Sequence, residues 1–295
     1  MNKRLENRIP ELDVFRGIAV LLMVFDHLMY NLWGLLPMLF SDYPTAGGAS
    51  EVLAQLAVGY WIMPARKVIR YAVVAVFLLL TGICCSLSRS NLKRGLKLMG
   101  VALLVTAVTY GVGRFTGDPD ICITFGVLHC IALALIVVGL LERLNVSKRL
   151  YLAPGLIMSA VGLWLFWGSE FFSYADTPFG LALWREFIGV ALYGGDCFPF
   201  PLFGAQVFLG VYLGRRLYPE RRSLLPDARY KNNAVTFVGR HSLAVYLLHQ
   251  IILPVLLSII LARPQTTDSW QNTEIEGIDI MMCMDVSTSM LAEDL

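Results

Sequence analysis

Residues 12–33, LDVFRGIAVLLMVFDHLMYNLW, decide how the chain reads. The stretch is apolar enough to cross a bilayer as a helix, yet it contains Asp13, Arg16, Asp26, His27 and Asn31. Ionisable groups at membrane depth are costly and persist where they have a partner or a task. At about 100° per residue, Arg16 and His27 point within roughly 20° of each other on a helix. Asp13, Arg16, His27 and Asn31 therefore share one face, with Val20 and Met23 between them. A polar stripe of this kind belongs against a protein interior or a wet cavity.

The rest of the chain fits a membrane setting. Its 295 residues are 57% hydrophobic and 16% charged, with a mean hydropathy of +0.63, outside the range of soluble domains. The composition predicts an all-α, polytopic helical bundle. A net charge of +2 is too small to suggest nucleic acid. The 6 cysteines include no CxxC pair or zinc-type spacing, so they read as free thiols and no metal site is expected. The basic start MNKRLENR precedes an apolar run with no small-residue cleavage pattern, which favours an uncleaved first span over a signal peptide.

Stretches near span length predict about seven crossings, at 12–33, 68–88, 94–112, 123–141, 150–167, 199–217 and 236–262. Segments 49–65 and 179–193 are too short or broken for spans and suit interfacial or re-entrant positions. With the N-terminus inside, the inner segments hold 17 Lys and Arg and the outer ones 6. The positive-inside rule then sets the N-terminus in the cytoplasm and, for an odd number of spans, the C-terminus outside. This orientation puts His27, His129, Asp196 and His249 in the outer half and Arg16 and Arg240 near the inner face. The expected layout is an inner cationic mouth below an outer acid/base chamber.

Each candidate residue has a structural alternative. A histidine at mid-membrane suits general acid/base work because its pKa lies near neutrality, or it can bridge helices as a packing hydrogen bond. His27 lies on the charged stripe; His249 continues a second stripe, Ser242–Tyr246–His249; His129 stands in FGVLHC. Asp13 and Arg16, one turn apart, are placed to form an ion pair, and the Arg16 fork suits a phosphate or carboxylate. Asp196 in GGDCFPFP reads either as a helix-entry residue or as a catalytic carboxylate. The basic loop 215–231, starting with Arg215 and Arg216, suits anionic lipid, topology, or docking of a phosphate-rich donor. Gly82 in FLLLTG reads as a helix-contact glycine.

Five ordered motifs carry a family resemblance: LDVFRGIAVLLMVFDHLMYNL, FLLLTGICCSLSRSNLKRGLKL, ITFGVLHCIALAL, GGDCFPFPLFGAQVFLGVYLGRRLY and FVGRHSLAVYLLHQIIL. Together, over roughly residues 8–256, they resemble the bacterial branch of the heparan-alpha-glucosaminide N-acetyltransferase catalytic-domain family. The spacing from Arg16 to His27 also resembles the broader membrane acyltransferase-3 group. The resemblance implies transfer of an acetyl group from cytosolic acetyl-CoA to an amine or hydroxyl of an envelope glycan or amino sugar at the far face of a bacterial inner membrane. It implies His27 as general base or transient acyl carrier, Arg16 as a charge-stabilising or donor-binding group and Asp13 as its orienter, with His249 and Asp196 at family motif positions. The inner basic mouth, with Arg16, Arg240, Arg215 and Arg216, suits the CoA phosphates. Membrane lipid is an expected partner, as is a second copy of the chain. Bacterial members often carry an acidic residue where this chain has Asn31.

From residue 263 the character changes. GIDIMMCMDVSTS, ending in Asp285, Ser287 and Ser289, resembles the start of an aerotolerance-type von Willebrand factor A domain. One strand cannot build that parallel sheet, so the tail reads as vestigial or chimeric, with no metal bound. Two other classes stay open on the residues alone: a permease of a small polar solute, whose path polar stripes would line, and a non-catalytic scaffold. The absence of a repeat between the two halves weighs against the permease.

Overall fold

The computed structural model describes residues 9–39, 48–147, 149–194, 196–225 and 233–261. The tail beyond residue 261 and the start of the chain lie outside them, and with these the von Willebrand-like motif. Ten helices carry the fold among the described residues: α1 Pro10–Tyr30, α2 Gly48–Ile62, α3 Pro64–Leu87, α4 Asn91–Thr116, α5 Val127–Arg143, α6 Arg149–Trp167, α7 Phe179–Ile188, α8 Phe200–Leu217, α9 Ala234–Arg240 and α10 Ser242–Leu261. α1 continues through a π-helical segment, Asn31–Leu35, into a last turn at Leu36–Leu39. Four helices, α3, α4, α6 and α10, are long and apolar enough to cross a membrane. The all-α expectation therefore holds.

Local sequence sets the helix starts. Pro10 opens α1 with Glu11 and Asp13 in its first turn, where the missing proline N–H costs nothing and the carboxylates face the positive end of the helix. Pro64 opens α3 directly after α2, so the segment expected to be too short for a span is a separate helix ending at a corner. Asn233 and Thr236 form a reciprocal capping box at α9.

The core lies where α8 packs against α3, α5 and α6. Cys130, Ala134 and Val138 of α5 meet Val207 and Val211 of α8 there, all fully buried. α3 and α8 approach backbone to backbone. A Cβ on Gly82 would stand 2.8 Å from Gly210 Cα and overlap the Val207 carbonyl. Gly82 is a helix-contact glycine, as expected. The same device joins α1 to α9, since a Cβ on Gly239 would overlap the Asp13 carbonyl and lie 3.0 Å from the Gly17 nitrogen.

Between α6 and α8 lies a small cap. Strands β1 (Glu170–Phe172) and β2 (Ala191–Tyr193) pair in parallel, with Phe171 opposite Leu192, and α7 crosses between them. The expected interfacial segment 179–193 is thus a short helix plus a strand. α1 and α3 run antiparallel, because Arg16 meets Cys84 at one end and Asp26 meets Arg66 at the other. The face of α1 away from the stripe, including Phe15, Ile18, Leu22 and Phe25, is exposed. The stripe face carries the buried Asp13, Val20 and Asn31.

Candidate active site

α1 and α10 bring two histidines into contact. His249 Nε2 lies 3.1 Å from His27 Nδ1, and the ring centroids are 4.8 Å apart. The surroundings of His249 fix the protons. Its Nδ1 faces the carbonyl oxygens of Tyr246 at 2.7 Å and Val245 at 3.2 Å. Carbonyls only accept, so Nδ1 of His249 carries the hydrogen and its neutral Nε2 carries a lone pair. That lone pair accepts from Nδ1–H of His27. Nε2 of His27 is left with a lone pair of its own, the state a general base or acyl-accepting nucleophile needs.

A second chain of contacts starts at the same helix. Tyr246, one turn before His249, donates its hydroxyl to Asp196 Oδ2 at 3.4 Å. Asp196 also accepts from the Val127 N–H at the start of α5. Burial pushes the Asp196 carboxyl up to about 6, against these hydrogen bonds and the nearby Arg70 charge. Asp196 thus touches the start of α5 and is linked to the His27–His249 pair through Tyr246.

Next to His27, Asp26 forms a forked ion pair with Arg66, Nε to Oδ1 at 2.8 Å and Nη2 to Oδ2 at 3.1 Å, and Tyr60 donates to the same carboxylate at 2.9 Å. The Arg66 guanidinium lies 3.5 Å from the Trp61 ring centre, and Trp61 stacks on Trp33. Sequence reasoning missed this partner. The available signal was Arg66 in an outer segment, paired with a charge that had no partner on its own helix.

At the other end of α1, Asp13 pairs with Arg240 of α9, Oδ2 to Nε at 3.5 Å. Arg16 donates to Cys84 Sγ at 3.0 Å. Asp13 and Arg16, expected to pair with each other, each make a tertiary contact, and the close approach of Gly17 and Gly239 draws α9 against the first turns of α1. Arg215 reaches Glu142 at 3.3 Å and lies over the Tyr151 ring, while the exposed Arg216 contacts Tyr212. A cleft of about 440 Å³ opens here, lined by Arg89, Arg215 and Arg221 with Glu142 and Ser88. Neither Arg216 nor Arg240 lines it. Arg16 and His27 are separated by about 16 Å along the helix axis at 1.5 Å per residue.

His129 stands apart from the histidine pair. It is buried between α4 and α5 with Nε2 3.1 Å from Thr106 Oγ1, the packing role. In the cap, Glu186 is fully buried and accepts from Tyr174 at 2.9 Å and from Thr124. Burial raises the pKa of both Glu186 and Tyr174. Among the described residues no three His, Cys, Asp or Glu side chains are grouped to hold a metal.

The model of the heparan-alpha-glucosaminide N-acetyltransferase catalytic domain matches residues 8–251. The chain belongs to this acetyltransferase family. No curated protein and no solved structure matches it. Membership makes the chain an enzyme of a membrane acetyltransferase family and sets aside the permease and scaffold readings. The matched span contains every element from α1 to the middle of α10, and with them both histidines of the pair.

Proposed function

We propose that the chain transfers an acetyl group from acetyl-CoA, bound at the basic face, to an amine or hydroxyl of an envelope sugar presented near His27. The observation that carries this reading is the His27–His249 contact, whose hydrogen-bond polarity leaves His27 Nε2 as a free base. The acceptor N–H or O–H gives its proton to Nε2 as its heavy atom attacks the thioester carbonyl. The C–S bond then breaks, the proton passes to the departing thiolate, and free CoA and the acetylated sugar result. His249 Nε2 accepts from the imidazolium that forms on His27 and so stabilises it.

The basic cleft suits the phosphates of the donor. Arg89, Arg215 and Arg221 supply charge there, and Arg216 adds an exposed guanidinium beside it. Arg240 and Asp13 hold α9 on α1 and act as positioning residues in this reading, while Arg16 lies between the cleft and His27. The excess of Lys and Arg on this side supports a cytoplasmic face and a cytoplasmic N-terminus in a bacterial inner membrane. Donor phosphates and acceptor thus meet the protein on opposite sides, and the pantetheine arm spans the distance between them.

The test is acetyl-CoA turnover by proteoliposomes against a panel of amino sugars and envelope glycans. Wild-type protein acetylates at least one of them, and His27→Ala abolishes the transfer while expression is unchanged. Undiminished turnover in His27→Ala refutes the assignment.

A further inference from the structure

Arg70 is an exposed cation in apolar surroundings. Arg66, one turn earlier on α3, is taken by Asp26. Arg70 forms no ion pair among the described residues, and its guanidinium lies 6.0 Å from the Tyr71 ring centre. Its neighbours Val68, Ile69 and Tyr71 are exposed. Tyr71 packs edge-on against Phe166 near the end of α6, beside the exposed Trp164, Trp167 and Phe171. Exposed Trp and Tyr among aliphatic side chains mark the headgroup level of a bilayer. An arginine at that level meets anionic headgroups, whose phosphates match its fork of donors.

Arg70 also opens into the protein. A cavity of about 60 Å³ lies under the cap, lined by Arg70, Tyr71, Phe166, Phe171, Cys197 and Phe203, and Arg70 is the only charged residue in its walls. That is room for a few water-sized groups, hence for a phosphate and not for a glycan chain. The cavity borders the candidate active site. Cys197 follows Asp196, and the charge of Arg70 acts on both Asp196 and His27. Because α1 and α3 run antiparallel, one turn along α3 from the Asp26–Arg66 pair, about 6 Å, brings Arg70 level with the turn of α1 that precedes His27. The remaining walls are largely aromatic and aliphatic. They offer little to a free hydrophilic anion and suit one that carries an apolar chain.

We propose that Arg70 binds the phosphate of a lipid-linked sugar, so that the acceptor reaches His27 while still attached to a membrane lipid. This proposal rests on the reading of His27 as the base. The test measures binding to the full chain in a polyoxyethylene detergent. Its probe is glucosamine joined through phosphate to a prenyl chain, compared with the same sugar on an uncharged prenyl ether and with glucosamine 1-phosphate. Wild type binds the phosphate-linked lipid at least 10-fold more tightly than either comparison. Arg70→Gln loses about 10-fold or more of that affinity, the effect of removing hydrogen bonds to a charged group. Arg70→Lys, which keeps the charge and loses the fork, binds with intermediate affinity. Both variants keep a thermal midpoint near that of wild type, since the side chain is exposed. Equal binding of the ether-linked lipid overturns the site, as does wild-type affinity in Arg70→Gln. Glucosamine 1-phosphate binding as tightly as the lipid shows a site for free phosphate and overturns the lipid assignment. His27→Ala is tested alongside for transfer to the acceptor panel: if it stays active the base reading fails while Arg70-dependent binding stands, whereas an inactive His27→Ala beside unaltered binding by Arg70→Gln removes the lipid site alone.

Discussion

Replacing His249 by leucine tests the hydrogen-bond polarity directly. The residue is buried and touches His27 through a single 3.1 Å contact, so the substitution removes an acceptor from the ring that becomes charged in the reaction. A hydrogen bond to a charged group contributes about 1.5–3 kcal/mol, which amounts to a fall in kcat of roughly 10- to 150-fold. KM for acetyl-CoA should hold, since the basic cleft proposed for the donor phosphates lies at the other end of α1. His27 keeps its hydrogen bond to the Met23 backbone, so its ring stays in place. His249→Gln retains a carbonyl oxygen able to accept from Nδ1–H and should lose less than about 10-fold. The assay is steady-state CoA release from proteoliposomes with saturating acceptor. A kcat for His249→Leu within a factor of two of wild type would refute the polarity, as would a glutamine variant no better than the leucine one.

Further outcomes follow from other contacts. Arg66→Met leaves the partly buried Asp26 with only the Tyr60 hydroxyl as partner and should cost about 1.5–3 kcal/mol of stability, read as a lower thermal midpoint; Asp26→Asn in the same chain should recover part of it. Gly210→Val drives two methyl groups toward the Leu79 carbonyl across the α3–α8 contact and should lower stability by more than about 2 kcal/mol, seen as loss of folded protein in detergent. The Glu186 carboxyl is raised above its ordinary 4.5 by burial, so the fold favours its protonated form. Stability from this group is fully present below pH 4.5 and declines as pH rises through the folded-state value. Glu186→Gln should remove that decline, and midpoints of the two proteins measured from pH 4 to 8 should diverge upward with pH.

Much of the site was legible because helical periodicity is local. The stripe of Asp13, Arg16, His27 and Asn31 follows from rotation per residue alone, and its neighbours in space, Tyr246 and His249, follow from a second stripe on α10. Which charges pair was not legible. Asp13 and Arg16 satisfy the one-turn rule, yet the glycine contact between α1 and α9 brings Arg240 to Asp13, and a backbone approach across more than 200 residues leaves no periodic trace. Asp26 and Arg66 are likewise joined by a corner between α2 and α3 that sequence read as a broken span. The cap was less legible for a related reason: its 3-residue strands and the 10-residue α7 are too short for a clear pattern, and Glu186 is buried by their assembly rather than by its own helix.

The two end contacts of α1 have a mechanical meaning. Arg16 is tied to Cys84 near the end of α3 and Asp26 to Arg66 near its beginning, so sliding α1 along its axis by one turn, about 5.4 Å, would break both ties together. Among the described residues α10 makes no ion pair to α1: its side-chain ties are His249 to His27 and Tyr246 to Asp196, Leu248, Ile251, Ile252 and Val255 are exposed, and Pro254 interrupts its hydrogen-bond ladder. α1 is thus a rail held at both ends, and α10 meets it with one face turned outward. With His27 as the proposed base, bilayer thickness and lateral pressure acting on the outward face of α10 become variables that set how tightly that base is held.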